Sequence, residues 1–127
     1  MIVVDASTVV SGLLRAGPVR DRLAHDALHA PHLVDVEVVD ALRKLVGRGV
    51  IDVEVGDRAV AIWRRLGLTR HPTIGLVPRL WELRANVTAY DAAYVALAEA
   101  LECPLVTADR RLAGATGPRC AIEVVPR

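Results

Sequence analysis

Two short apolar runs, each followed within two residues by an acid, constrain the fold of this chain most. Met1-Ile2-Val3-Val4 is closed by Asp5, and Pro104-Leu105-Val106-Thr107 is followed by Ala108 and Asp109. A run apolar at every position has no face to give to water, so as a strand it must be covered on both sides. Helical periods lie between these runs. Val34, Val38, Leu42, Leu45 and Val46 recur at helical spacing, as do Val55, Ala59, Ile62, Trp63 and Leu66. Strands alternating with helices favour a three-layer α/β/α sandwich around a central, mostly parallel twisted sheet.

Local signals fill in the remaining elements. Ser7 offers an N-cap for a helix over 8–14, stopped by Gly17-Pro18. A second amphipathic helix is expected over 19–29, with Leu23, Ala27 and Leu28 inside, broken by Ala30-Pro31. A short strand follows over 68–71. The next helix spans 76–84, with Pro78 tolerable only in its first turn. Thr88-Ala89-Tyr90-Asp91 has the form of a capping box and opens the longest helix, running to Leu101. A strand over 104–107, one helical turn over 110–113 and a last strand over 121–125 complete the chain. At 127 residues it has room for one domain, 1–127, with one core. There are no repeats and no linker.

Composition narrows the classes. Net charge is +1, so any nucleic-acid contact rests on local patches rather than a broad basic field. Arginine dominates the basic set, and Lys44 is the only lysine. The apolar fraction is 53% and mean hydropathy +0.34, yet no stretch approaches the roughly eighteen apolar residues of a membrane span. No basic segment precedes the first apolar run, so no signal peptide is expected, and the location expected is the cytoplasm. The excess apolar surface points to a protein partner or a homodimer. Cys103 and Cys120 are too few for a disulfide scaffold and read as buried thiols. Trp63 and Trp81 fall on apolar helical lines, so packing is their default. His25 and His29 stand four apart on the expected second helix, but nothing around them completes a metal site.

The acids carry the chemistry. Ligands of open α/β sheets bind beyond the carboxyl ends of the strands, where Asp5 and Asp109 stand. Asp91 lies in the first turn of the helix leading to the second of these strands. Glu37 starts a helical line with Asp40 and Lys44, at the rim of an apolar face. Each acid alone reads as a strand end, a cap or a surface residue. Together, near a core, they need a positive partner, and a hard cation such as Mg²⁺ or Mn²⁺ suits an acid-only site. Arg15, Arg110 and Arg111 flank these acids and are candidates for binding a phosphate backbone.

Four stretches carry a family resemblance. They are 2–7 (Ile-Val-Val-Asp-Ala-Ser), 36–42 around Glu37, 88–98 around Asp91 and 105–112 around Asp109. In this order and spacing they resemble PIN-domain ribonucleases, most of all the VapC toxins of bacterial toxin–antitoxin pairs. The resemblance implies a Mg²⁺- or Mn²⁺-dependent endoribonuclease. Asp5, Glu37, Asp91 and Asp109 would be its acidic quartet, with Asp5 and Asp91 first in line for the metal. It also implies that Ser7 and Thr107 orient ligands near that metal. Asp40 departs from the Asn common at its position. The implied partners are RNA, a second copy of the chain and a VapB-type antitoxin laid over the site.

Other readings fit less well. A phosphatase using Asp5 as nucleophile wants a second Asp at position 7, which is Ser. A receiver domain wants a late-strand Lys, and Lys44 is too early. A PIN-like module that binds RNA or protein without cleaving is the alternative from a different class, and the intact quartet argues against it.

Overall fold

β1 (Ile2–Val4) is buried at all three positions, as a doubly covered strand requires. A computed structural model describes residues 1–126 and places this strand at the centre of a five-stranded sheet ordered β3-β2-β1-β4-β5. The others are β2 (Leu28–Pro31), β3 (Thr69–His71), β4 (Leu105–Thr107) and β5 (Ile122–Val124). All four pairings are parallel, with Val3 opposite both His29 and Leu105.

Parallel neighbours need crossovers, and helices supply them. They are α1 (Ala6–Leu14), α2 (Pro18–His25), α3 (Val34–Gly47), α4 (Val53–Arg65), α5 (Val77–Glu82), α6 (Ala89–Leu101) and α7 (Arg110–Ala113). α1 packs on α2, α3 and α4, whereas α6 lies against β1, β2 and β4 and carries α5. The expected three-layer α/β/α sandwich is the one observed. In α6 every residue from Ala92 to Ala98 is buried. Its alanines let the helix approach the sheet closely, and Tyr94 fills the space they leave. Removing side chains the size of Val95 and Leu97 from water supplies about 1.5–3 kcal/mol each.

Two local expectations are corrected. The second helix ends at His25, and Asp26 turns extended, so Ala27 and Leu28 belong to the approach and start of β2. A short apolar run does not distinguish helix from strand by period, and His29-Ala30-Pro31 has weak strand character. His29 is therefore a strand residue, and it is not paired with His25 on one helix. The cap of α1 is Asp5 rather than Ser7, because the Asp5 side chain accepts from the Thr8 amide. Thr88 does cap α6 as expected, accepting from the Asp91 amide at 3.1 Å.

Trp63 is in the core, while Trp81 on α5 is exposed, with the Arg84 guanidinium 4.6 Å above its ring. Cys103 is buried and Cys120 half-buried, both as free thiols. Among the described residues no helix is long and apolar enough to cross a membrane.

Candidate active site

Strand order runs one way from β1 to β3 and the other way from β4 to β5. The crevice past the carboxyl ends of β1 and β4 is therefore the switch point where such sheets take their ligands. Asp5 and Thr107 occupy these ends. Asp5 is buried, with only 7% of its surface exposed. Its Oδ1 accepts from Ser7 Oγ at 2.7 Å, the Thr8 amide at 3.0 Å and Thr8 Oγ1 at 3.1 Å. Its Oδ2 accepts from Thr107 Oγ1 at 2.5 Å.

The hydroxyls join the two strand ends. Thr107 Oγ1 also accepts from the Asp109 amide, and Ser7 Oγ accepts from the Ala108 amide, each at 3.0 Å. Thr8 Oγ1 reaches the Val106 carbonyl at 2.9 Å. One acid is thus held by the Ser7 and Thr107 hydroxyls and the Thr8 amide, while the single Thr8 hydroxyl proton is shared between Asp5 and the Val106 carbonyl. Thr8 was not singled out in the sequence. Its signal is a helical position three after Asp5, where a cap acceptor meets an amide.

The other acids approach from separate helices. Glu37 lies in the first turn of α3 and accepts from the Tyr94 hydroxyl at 2.6 Å. Burial pushes its carboxyl up, the Tyr94 bond opposes this, and the charges of Asp91, Asp5 and Asp40 push it further. Asp91 lies in the first turn of α6, and burial followed by the charges of Asp5 and Asp109 pushes it up as well. Asp109 caps α7 through the Arg111 amide at 2.9 Å and faces the Arg111 guanidinium at 3.4 Å. Glu37 therefore feels the charges of Asp5 and Asp91, and Asp91 those of Asp5 and Asp109. Each also stands at the start of a helix, where exposed amides favour an anion.

Tyr94 is a site residue that sequence reasoning missed. Its signal is its place three residues after Asp91, on the same side of α6. Burial, and then the bond to Glu37, push its phenol well above the usual range, so it stays protonated and donates. Asp40 is tied to its own helix instead. It pairs with Arg43 at 2.9 Å and Lys44 at 3.0 Å, and those bonds, Lys44 first, hold its carboxyl below the usual range.

Two grooves flank this region, and only the first is lined by any of the four acids, Asp91 and Asp109. One, of about 480 Å³, is lined by Arg84, Asn86, Thr88, Asp91, Asp109 and Arg111. The other, of about 500 Å³, includes Ser7, Ser11, Arg15, Lys44 and Arg48. Arg110 is exposed on α7 and lines neither of these two grooves. An all-carboxylate set of this kind fits a hard cation, which takes oxygen ligands and keeps several waters. Among the described residues, no group of three or more acid, His or Cys side chains is placed to hold one ion together. One or two of these carboxylates would hold such an ion directly.

An acidic crevice past the switch point of a parallel α/β sheet is the arrangement expected of a PIN-like protein. The model of that family, the PIN domain, matches residues 2–117. Ribonuclease VapC9 of Mycobacterium tuberculosis is 54% identical over 127 residues, covering 100% of both chains. The structure of PAE2754 from Pyrobaculum aerophilum has a TM-score of 0.73 at 25% identity, covering 97% of this chain and 83% of that one. That of Mycobacterium tuberculosis VapC20 has a TM-score of 0.63 at 17% identity, over 90% of this chain and 94% of that one, a likeness of fold. The chain belongs to the PIN domain family, among the VapC proteins.

Proposed function

We propose that this protein is the ribonuclease toxin of a toxin–antitoxin pair, acting as one nuclease domain over residues 1–127. The observation that carries the reading is the cluster of Asp5, Glu37, Asp91 and Asp109. Two of its members, Glu37 and Asp91, are pushed up by burial and by their acidic neighbours. Such a cluster holds unfavourable charge until a cation joins it. The ribonuclease name of the 54% identical VapC9 supports the same activity.

Asp5 and Asp91 would hold Mg²⁺ or Mn²⁺ directly, with Glu37 and Asp109 as support or as ligands of a second ion. When bound, such an ion lowers the pKa of a coordinated water and stabilises charge on the attacked phosphate. The chain itself supplies positioning. Ser7 and Thr107 fix the Asp5 carboxylate, and Tyr94 fixes Glu37. Arg15, with Lys44 and Arg48 in its groove, and Arg111, with Arg84 in the other, would guide the RNA backbone to the acids from two sides. Arg110 would add a contact at the rim. In-line hydrolysis leaves a 5′-phosphate and a 3′-hydroxyl and does not need the RNA 2′-hydroxyl.

An antitoxin of the VapB kind and a second copy of the chain are the expected protein partners, with Val36, Val39 and Trp81 as exposed apolar anchors. An antitoxin arginine reaching the acids would offset their charge. No membrane partner is proposed, and the site of action is the cytoplasm.

The test is cleavage of RNA by purified protein with Mn²⁺ or Mg²⁺, with the ends of the products mapped. Metal-dependent cuts with 5′-phosphates, lost in Asp91→Asn, are expected. Well-folded protein that binds RNA but leaves it intact in both metals would mean a binding module instead.

A further inference from the structure

His29 in β2 and His71 in β3 face each other nitrogen to nitrogen, at the sheet edge and outside the acidic crevice. Nδ1 of His29 lies 2.9 Å from Nε2 of His71, with ring centroids 5.1 Å apart and planes 34° apart. The parallel register sets His71 opposite Pro31, two residues past His29. The two imidazoles therefore share one face of the sheet as diagonal neighbours. Both are half-buried.

We propose that His29 and His71 form a second cation site, selective for a borderline divalent ion such as Zn²⁺, Ni²⁺ or Cu²⁺. Imidazole nitrogen is a ligand for these ions, whereas Mg²⁺ takes oxygen. Two nitrogens bound at about 2.0–2.1 Å to one tetrahedral zinc stand about 3.3 Å apart. The nitrogens need to part by only a few tenths of an ångström, but the rings are nearly head-on, so each imidazole must also swing by roughly 35° to aim its lone pair at a common tetrahedral ion. Burial, and then the neighbouring His71, hold His29 below the ordinary imidazole range, so it is neutral near pH 7.

In the hydrogen-bonded pair one ring N–H donates to the other ring's lone pair. Binding asks the donor ring to place its proton on its other nitrogen, exchanged through water. Both lone pairs then face the ion. Two imidazoles leave the remaining positions to water, so the ion exchanges freely. Exposed His32, whose amide donates to the His71 carbonyl at 3.0 Å, is the nearest further donor in sequence. Occupancy would fasten the edge strand β3 to β2.

The experiment uses tag-free protein, titrated calorimetrically with Zn²⁺ or Ni²⁺ in excess Mg²⁺. One equivalent is expected to bind, and the affinity should fall at least tenfold in His29→Gln and in His71→Gln. It should be unchanged in Asp5→Asn and His25→Gln. With the acid cluster filled by excess Mg²⁺, Zn²⁺ should raise Tm in the wild type and not in either His29 or His71 variant. Paramagnetic resonance of Cu²⁺ on the wild type gives a readout independent of the variants' folding, with splitting from two imidazole nitrogens expected. Absence of saturable binding, binding that survives both substitutions, or an oxygen-only Cu²⁺ spectrum overturns the proposal.

Discussion

The Tyr94 hydroxyl donates to Glu37 Oε1 at 2.6 Å, joining the buried helix α6 to the first turn of α3. It fixes an acid that would otherwise be free to turn toward solvent. In Tyr94→Phe the ring still fills the core, so the fold should persist with a stability loss of about 1 kcal/mol. RNA cleavage should drop about tenfold, as it does when a group orienting a metal-site carboxylate is removed. Wild-type turnover in the Phe variant would show that Glu37 needs no such support.

Asp5 caps α1 and also forms the centre of the acid cluster, so the choice of replacement decides what is lost. Asn keeps an acceptor for the Thr8 amide and is a good cap. Its amide can donate to Thr107 Oγ1, whose hydroxyl then turns. Asp5→Asn should therefore stay within about 1 kcal/mol of wild type in denaturant melts and lose cleavage by a factor of about a thousand or more. Asp5→Ala strands the Ser7, Thr8 and Thr107 donors and should cost about 2–3 kcal/mol in the same melts. Equal stabilities for the two variants would refute the capping role.

Asp35 supplies the pH prediction. Hydrogen bonding to Arg70, at 2.6 and 2.8 Å, holds its carboxyl below the usual range, helped by the Trp63 indole. A carboxyl lowered by folding adds stability above its unfolded value, near pH 3.9, and that stability goes as pH falls through the folded value. The wild type should thus lose more stability than Asp35→Asn as pH drops below about 4. At neutral pH the variant should be weaker by only about 1 kcal/mol, since the partly exposed pair is screened. Melts across pH 2 to 7, about two units either side of the Asp and Glu range, measure both effects.

Divalent ions should stabilise the protein through the acid cluster. At a hundred times its Kd, Mg²⁺ or Mn²⁺ adds about 2.7 kcal/mol. The Tm shift with added Mn²⁺ should shrink in Asp91→Asn and return to the apo value on chelation. An unchanged shift in that variant would move the metal away from Asp91.

The sandwich was legible because β1 is apolar at every position, α3 and α4 keep a helical period, and Thr88 marks the start of α6. β2 was not, because Leu28-His29-Ala30-Pro31 is too short to set a period and follows a helix directly. The acids could be named individually, but their convergence depends on β4 lying beside β1, which only the sheet order reveals. Tyr94 and Thr8 were hidden for a related reason. Each looks like ordinary helix packing until the partner element is in place. His29 and His71 stand forty-two residues apart and meet only through the register of two strands, one of them unseen in the sequence.

All four acids of the crevice begin helices, so part of the positive charge they require is built into the backbone. The chain can then mature and persist with the crevice empty. If cutting needs the ion as proposed, its supply would act separately from synthesis and folding.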